Sequence, residues 1–147
     1  MGLAQLGHYA VRTDDLELSR RFYVEGLGLR VGYRPPFGFP GLWLYLGDDE
    51  TSFGVVHLIG ADPSGAAAVI DYLGDGAAGG GQIDHIAFLA ADWPAMRDRC
   101  EGQGLDYVQR TVPVLGLHQV FLRDPSGVTV ELNFPAPAAT NAAKTGR

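Results

Sequence analysis

Lysine is nearly missing from this chain. The single lysine in 147 residues is Lys144, close to the end, which excludes Schiff-base chemistry and the lysine of a phosphate-binding P-loop from the body of the protein. Cysteine is as scarce: Cys100 is alone and cannot form an internal disulfide, so a reducing, cytoplasmic setting is expected. It falls on an amphipathic stretch without the basic neighbours that mark a reactive thiolate, and its expected role is packing. No apolar run reaches membrane length, and no basic-then-apolar leader opens the sequence, so no membrane partner is expected. Positive charge is also short. A formal net charge of −6 and a pI near 5.0 argue against nucleic acid or an anionic surface as the main partner.

What remains is the composition of an ordinary globular domain, with 46% apolar and 19% charged residues. The length suits one domain with a real core. Leu6 to Val11 reads as a strand, and Asp14 is placed to cap a helix over Asp15 to Glu25 that Gly26 ends. Strands are then expected over Leu29 to Arg34, Leu42 to Leu46 and Ser52 to Ile59. A Gly- and Ala-rich stretch follows, with a short helix expected over Ala66 to Leu73 and a flexible connection over Gly74 to Gly81. The pattern then restarts. A strand over Ile83 to Leu89 leads to a helix capped by Asp92 and running through Cys100, then to strands over Leu105 to Arg110, His118 to Leu122 and Val128 to Phe134. Asp124 to Gly127, "DPSG", is a tight-turn signal between the last two. Residues 136–147 have little to pack and are expected to form a flexible tail.

Each half thus reads strand, helix, three strands, which is an internal repeat. Aligning "LGHYAVRTDDLELSRR" from Leu6 with "IDHIAFLAADWPAMRD" from Ile83 sets His8 on His85, Asp15 on Asp92 and Arg20 on Arg97, at an offset of 77. The fourth strands then match His57 with Glu131, because 57 − 8 = 49 and 131 − 85 = 46. The reading is α+β: one domain over 1–135, made of two paired βαβββ modules at about 4–62 and 82–135 joined by 63–81. Two such modules about a pseudo-two-fold axis can present His8, His57, His85 and Glu131 to one cavity. Imidazole nitrogens with a carboxylate suit one divalent metal ion, Zn, Ni, Fe, Co or Mn. A lone histidine or glutamate in a strand is ordinarily structural; the repeat-related placement of all four is what raises the metal reading. His118 is a candidate for lining the cavity or holding a loop. Phe121, Trp43, Tyr45, Phe39 and Phe37 are candidates for an apolar wall. Arg12 and Arg123 are candidates for an anion-binding group, with surface placement their ordinary role.

The chain resembles the vicinal oxygen chelate superfamily, which includes glyoxalase I, methylmalonyl-CoA epimerase, extradiol ring-cleaving dioxygenases and fosfomycin-resistance proteins. The resemblance covers Leu6 to Phe134 and rests on the paired modules with "GHYAVRTDDLELSRRFYVEGLGL", "IDHIAFLAADW" and "HQVFLRDPSGVTVELNF". It implies sheets curved around a metal cavity, with ligands at His8, His85 and Glu131. It leaves His57 as a fourth ligand or an acid/base residue, and it makes a homodimer and a small-molecule substrate expected. Phe121 stands where ring-cleaving relatives carry a tyrosine, ten positions before Glu131, and no glutathione site is recognisable. The resemblance therefore favours proton-transfer chemistry of glyoxalase or epimerase type, with His57 and Glu131 moving the proton and His118 and Phe121 toward the substrate. A one-domain Fe(II) dioxygenase and a bleomycin-resistance-like binding protein are the alternatives.

Overall fold

In a computed structural model of the chain, residues 6–48, 54–61, 83 and 85–136 are described. The expected helix over Ala66 to Leu73, the connection over Gly74 to Gly81 and the tail beyond 136 lie outside the described residues.

Two four-stranded mixed sheets carry the fold. The first holds β1 (Tyr9–Thr13), β2 (Arg30–Gly32), β3 (Gly41–Tyr45) and β4 (Val56–Gly60) in the order β1-β4-β3-β2. The second holds β5 (Ile86–Leu89), β6 (Val108–Val112), β7 (Leu117–Arg123) and β8 (Thr129–Pro135) in the order β5-β8-β7-β6. In each, the first strand runs parallel to the fourth and the other pairs are antiparallel. The repeat read from the sequence is thus a repeat of topology.

Alternation along the strands separates a core face from a second face. Val56 and Leu58 of β4 and Val130, Leu132 and Phe134 of β8 join Val11, Leu44, Val120 and Leu122 in one core cluster drawn from both modules. Tyr9 meets Phe88 at a ring separation of 6.2 Å, which brings β1 against β5 on the core side. His57 and Glu131 take the opposite parity and lie on the second face of their sheets.

Helices cover the core face. Asp15, rather than Asp14, caps α1 (Leu16–Arg21), its side chain accepting from the Leu18 N–H. Thr13 prevents the earlier start, because its hydroxyl accepts from the Asp15 N–H and meets the buried Ser19 hydroxyl at 2.7 Å. The expected continuous helix does not run to Glu25: after Arg21 it widens into a π turn, Phe22–Gly26, with Leu27 N–H reaching back to the Phe22 carbonyl. The extra residue in the turn lets the consecutive Phe22 and Tyr23 both be buried. The second helix, α2 (Trp93–Gly102), is capped by Asp92 as expected, through the Ala95 N–H. Cys100 is fully buried on it, and burial pushes its thiol pKa up, in keeping with a packing role. The two halves approach closely at Gly26, where a Cβ would stand 2.7 Å from Leu105 Cδ1. They are also tied by a buried relay, with the Tyr9 hydroxyl donating to the Tyr23 hydroxyl at 3.1 Å and Tyr23 donating to Asp124 Oδ2 at 2.9 Å. No described helix is long and apolar enough to cross a membrane.

Candidate active site

The second face of each sheet carries one pair of the predicted residues. β1 and β5 start later than expected, at Tyr9 and Ile86, so His8 and His85 directly precede their strands. The registers then do the same thing twice. His57 lies beside Ala10 on one side and Trp43 on the other. Glu131 lies beside Ala87 and Phe121. Ala10 and Ala87 stand 77 positions apart, like the histidines two residues before them. Because i and i−2 share a face, each histidine reaches over its small alanine toward the fourth-strand residue.

In the first sheet His57 is held between two rings. Its centroid is 3.8 Å from that of His8 and 4.0 Å from that of Trp43, with the Trp43 plane tilted by only 4°. Phe37 stacks on Phe39 at 5.4 Å and tilts against Trp43 at 6.1 Å, and Phe39 packs on Ile59, two residues beyond His57. Phe37, Phe39 and Trp43 thus form one aromatic cluster beside His57. Tyr45 is buried apart from it, donating to the Tyr33 carbonyl at 2.6 Å.

In the second sheet His85 Nε2 lies 2.9 Å from Glu131 Oε2. Glu131 is only 6% exposed, and a buried carboxylate needs charge or hydrogen-bond partners. Its Oε1 accepts from the Gln119 side-chain amide at 2.8 Å, and the same amide donates to Asn133 Oδ1 at 3.0 Å. Gln119 Oε1 in turn accepts from Arg110 Nε at 2.8 Å. These contacts fix the amide's orientation and leave Oε2 as the oxygen turned to His85. The Phe121 ring stands edge-on to His85 at 6.4 Å.

The structure thus brings the four predicted residues together two by two. Among the described residues no three His, Cys, Asp or Glu side chains form a metal-ligating group. The donor chemistry nonetheless fits a divalent ion. Imidazole nitrogens and a carboxylate oxygen are the ligand types such ions take, and His85 Nε2 and Glu131 Oε2 already stand within 2.9 Å of each other.

Other candidates fall elsewhere. His118 lies within β7, which begins at Leu117, and alternation turns it to the core side with Val120 and Leu122. Its ring is 5.5 Å from that of Trp93 and bonds to Gln109 Oε1 and Thr111 Oγ1, so it does not share the face of Glu131, and the expectation that it lines the site is corrected. Arg123 donates to the Gly127 carbonyl at the turn before β8, and Arg12 is exposed on β1. Gln119 and Arg110 are the residues that the sequence reading missed. Their signal is positional: Gln119 stands on the neighbouring β7 opposite Asn133, two residues from Glu131, and Arg110 stands opposite Gln119 on β6, so both need the β6–β7–β8 pairing to be seen.

The chain belongs to the Glyoxalase/Bleomycin resistance protein/Dioxygenase superfamily, whose family model matches residues 5–132. It is 30% identical over 138 residues to bovine (Bos taurus) mitochondrial methylmalonyl-CoA epimerase, covering 88% of this chain and 74% of that protein. In fold it is similar to lactoylglutathione lyase from Agrobacterium tumefaciens, with a TM-score of 0.58 and 20% identity over 91% of this chain and 96% of that one. It is also similar to a glyoxylase/bleomycin resistance protein/dioxygenase domain from a Frankia species, with a TM-score of 0.64 and 16% identity over 97% of this chain and 99% of that one.

Proposed function

We propose that this protein is a divalent-metal-dependent enzyme that moves a proton at the carbon next to a carbonyl, as an epimerase or a glyoxalase-type isomerase does. The observation that carries the reading is the His85–Glu131 contact at 2.9 Å on a frame that repeats around His57 and His8. The similarity to an epimerase adds to it. His8, His57, His85 and Glu131 would hold the ion, which when bound polarises the substrate carbonyl as a Lewis acid. Gln119 holds Glu131 Oε1, and Oε2 lies against His85; as a displaceable ligand, Oε2 would take the proton from the substrate carbon. His57, its plane set by Trp43 and His8, returns the proton from the opposite module, or stays on the ion and leaves both steps to Glu131. Phe121 beside Glu131 supplies no hydroxyl, which favours proton transfer over ring cleavage.

The test is exchange of the acidic carbon-bound hydrogen of methylmalonyl-CoA in deuterated water, followed by proton NMR, on protein whose metal has been measured by elemental analysis. Metal-dependent exchange that Glu131→Gln abolishes supports the reading. Iron content with O2 uptake on catechols would replace it with the dioxygenase reading. We also propose a homodimer.

A further inference from the structure

The candidate site carries an arginine that none of the chemistry above uses. Arg110 on β6 stands in register with Gln119, and its guanidinium lies over the Phe121 ring at 5.1 Å. Both neighbours are on the Glu131 face, so the guanidinium is on that face too. Its Nε is held by Gln119 at 2.8 Å, while neither Nη has a partner among the described residues. The side chain is exposed.

The first module has a repeat-related arginine, and the contrast is informative. Gly32 pairs with Trp43 as Val108 pairs with Phe121, so Arg34 is the counterpart of Arg110. Arg34 is closed off. It lies over Phe37 and Phe39 at 5.0 and 4.9 Å, donates through Nη2 to the Phe39 carbonyl at 2.9 Å, and burial lowers its pKa. A Cβ at Gly41 would come within 2.9 Å of its Nη2. In the second module the place of Gly41 is taken by Gln119, which grips Nε and leaves the guanidinium's outer edge presented. One arginine is therefore structural, and the other is fixed in place with two donors open.

We propose that Arg110 is the anion subsite of this active site, and that the substrate carries an oxyanion, a carboxylate or phosphoryl group, besides the oxygens that meet the metal. The two Nη groups form the planar fork that such oxyanions match. Stacking on Phe121 and the bond to Gln119 remove most of the ordering that such a contact normally requires. In a chain of net charge −6, a cation fixed on the face of Glu131, joined to it through Gln119, also offsets the carboxylate's repulsion of an anionic ligand. The proposal rests on the functional reading of the His85–Glu131 face, and the experiment separates the two.

Full-length protein, metal-free and Zn²⁺-loaded, is titrated by calorimetry with malonate and, separately, with inorganic phosphate. Wild type binds malonate, phosphate or both; whichever binds more tightly identifies the oxyanion. Arg110→Met weakens that binding by about tenfold or more, and Arg110→Lys recovers part of it, while Zn²⁺ affinity stays within about threefold in both variants. Binding of the tighter anion to metal-free Arg110→Met equal to wild type, or no binding of either anion to wild type, overturns the proposal. Arg110-dependent anion binding in protein that takes up no Zn²⁺ keeps the subsite and removes the metal reading. Tight Zn²⁺ binding with anion binding indifferent to Arg110 does the reverse.

Discussion

Replacing Gln119 by Met keeps the length of the side chain and removes its amide. Three bonds go with it: the donors to Glu131 Oε1 and Asn133 Oδ1, and the acceptor for Arg110 Nε. The exposed Arg110 can turn to water, and Asn133 is half-buried, so their losses are small. Glu131 is 6% exposed, and among the described residues its only remaining contact is His85. A buried carboxylate left without a donor on one oxygen costs about 1–3 kcal/mol, so the expected loss of stability is about 2 kcal/mol. Urea unfolding followed by tryptophan fluorescence measures it, with the midpoint moving down and the slope unchanged. The control is Gln109→Met, the same chemical change on the same strand pair. There the amide only meets His118 at an exposed site, and the expected change is within about 0.5 kcal/mol. If Gln119→Met costs no more than Gln109→Met, the amide does not hold Glu131 and the account of its orientation fails.

The relay between the modules should be equally measurable. Tyr23→Phe removes the bond to Asp124 Oδ2 and the acceptor of the Tyr9 hydroxyl, while Asp124 Oδ1 keeps the Ser126 and Val128 N–H groups. A loss of about 2 kcal/mol in urea unfolding is expected for a hydrogen bond to a buried charge, and an unchanged midpoint would show that the relay contributes nothing. Alkali should act on the same place. Burial pushes the Tyr9 pKa up to about 12 and that of Tyr23 further in the same direction. Below pH 10 both the folded and unfolded chains keep these protons and the contribution is complete. Above pH 10 the unfolded chain releases them first, so stability falls with a slope of up to about 1.4 kcal/mol per pH unit for each tyrosine. A stability flat between pH 10 and 12 would contradict the burial of this pair.

The strands and the repeat were legible because burial of one face imposes alternation, and because the Gly-rich stretch separates two like patterns. Pairing set the boundaries instead. His8 and His85 read as strand residues from their apolar neighbours, but the ladders begin at Tyr9 and Ile86. The π turn could not be read from helical periodicity, since its cause is the burial of two consecutive aromatics, Phe22 and Tyr23, against the other module. The pairing of His57 with Glu131 as equivalents came directly from the spacing. Neither the sandwich of His57 by Trp43 nor the Arg110–Gln119–Glu131 chain was legible. Both depend on which residues of β3, β6 and β7 stand opposite each other, and a one-residue shift would undo either. His118 shows this cost directly: it stands opposite Phe134, and its side chain takes the core face with Val120 and Leu122.

A shared ion requires both pairs, His8 with His57 and His85 with Glu131. The direct measurement is titration of Co²⁺ into metal-free protein, following the visible ligand-field bands, for wild type and for His8→Ala, His57→Ala, His85→Ala and Glu131→Gln. One ion per complete set of four residues is expected, with the bands altered and affinity weakened by all four changes. Bands and affinity that respond to His85 and Glu131 but not to His8 and His57 would contradict it.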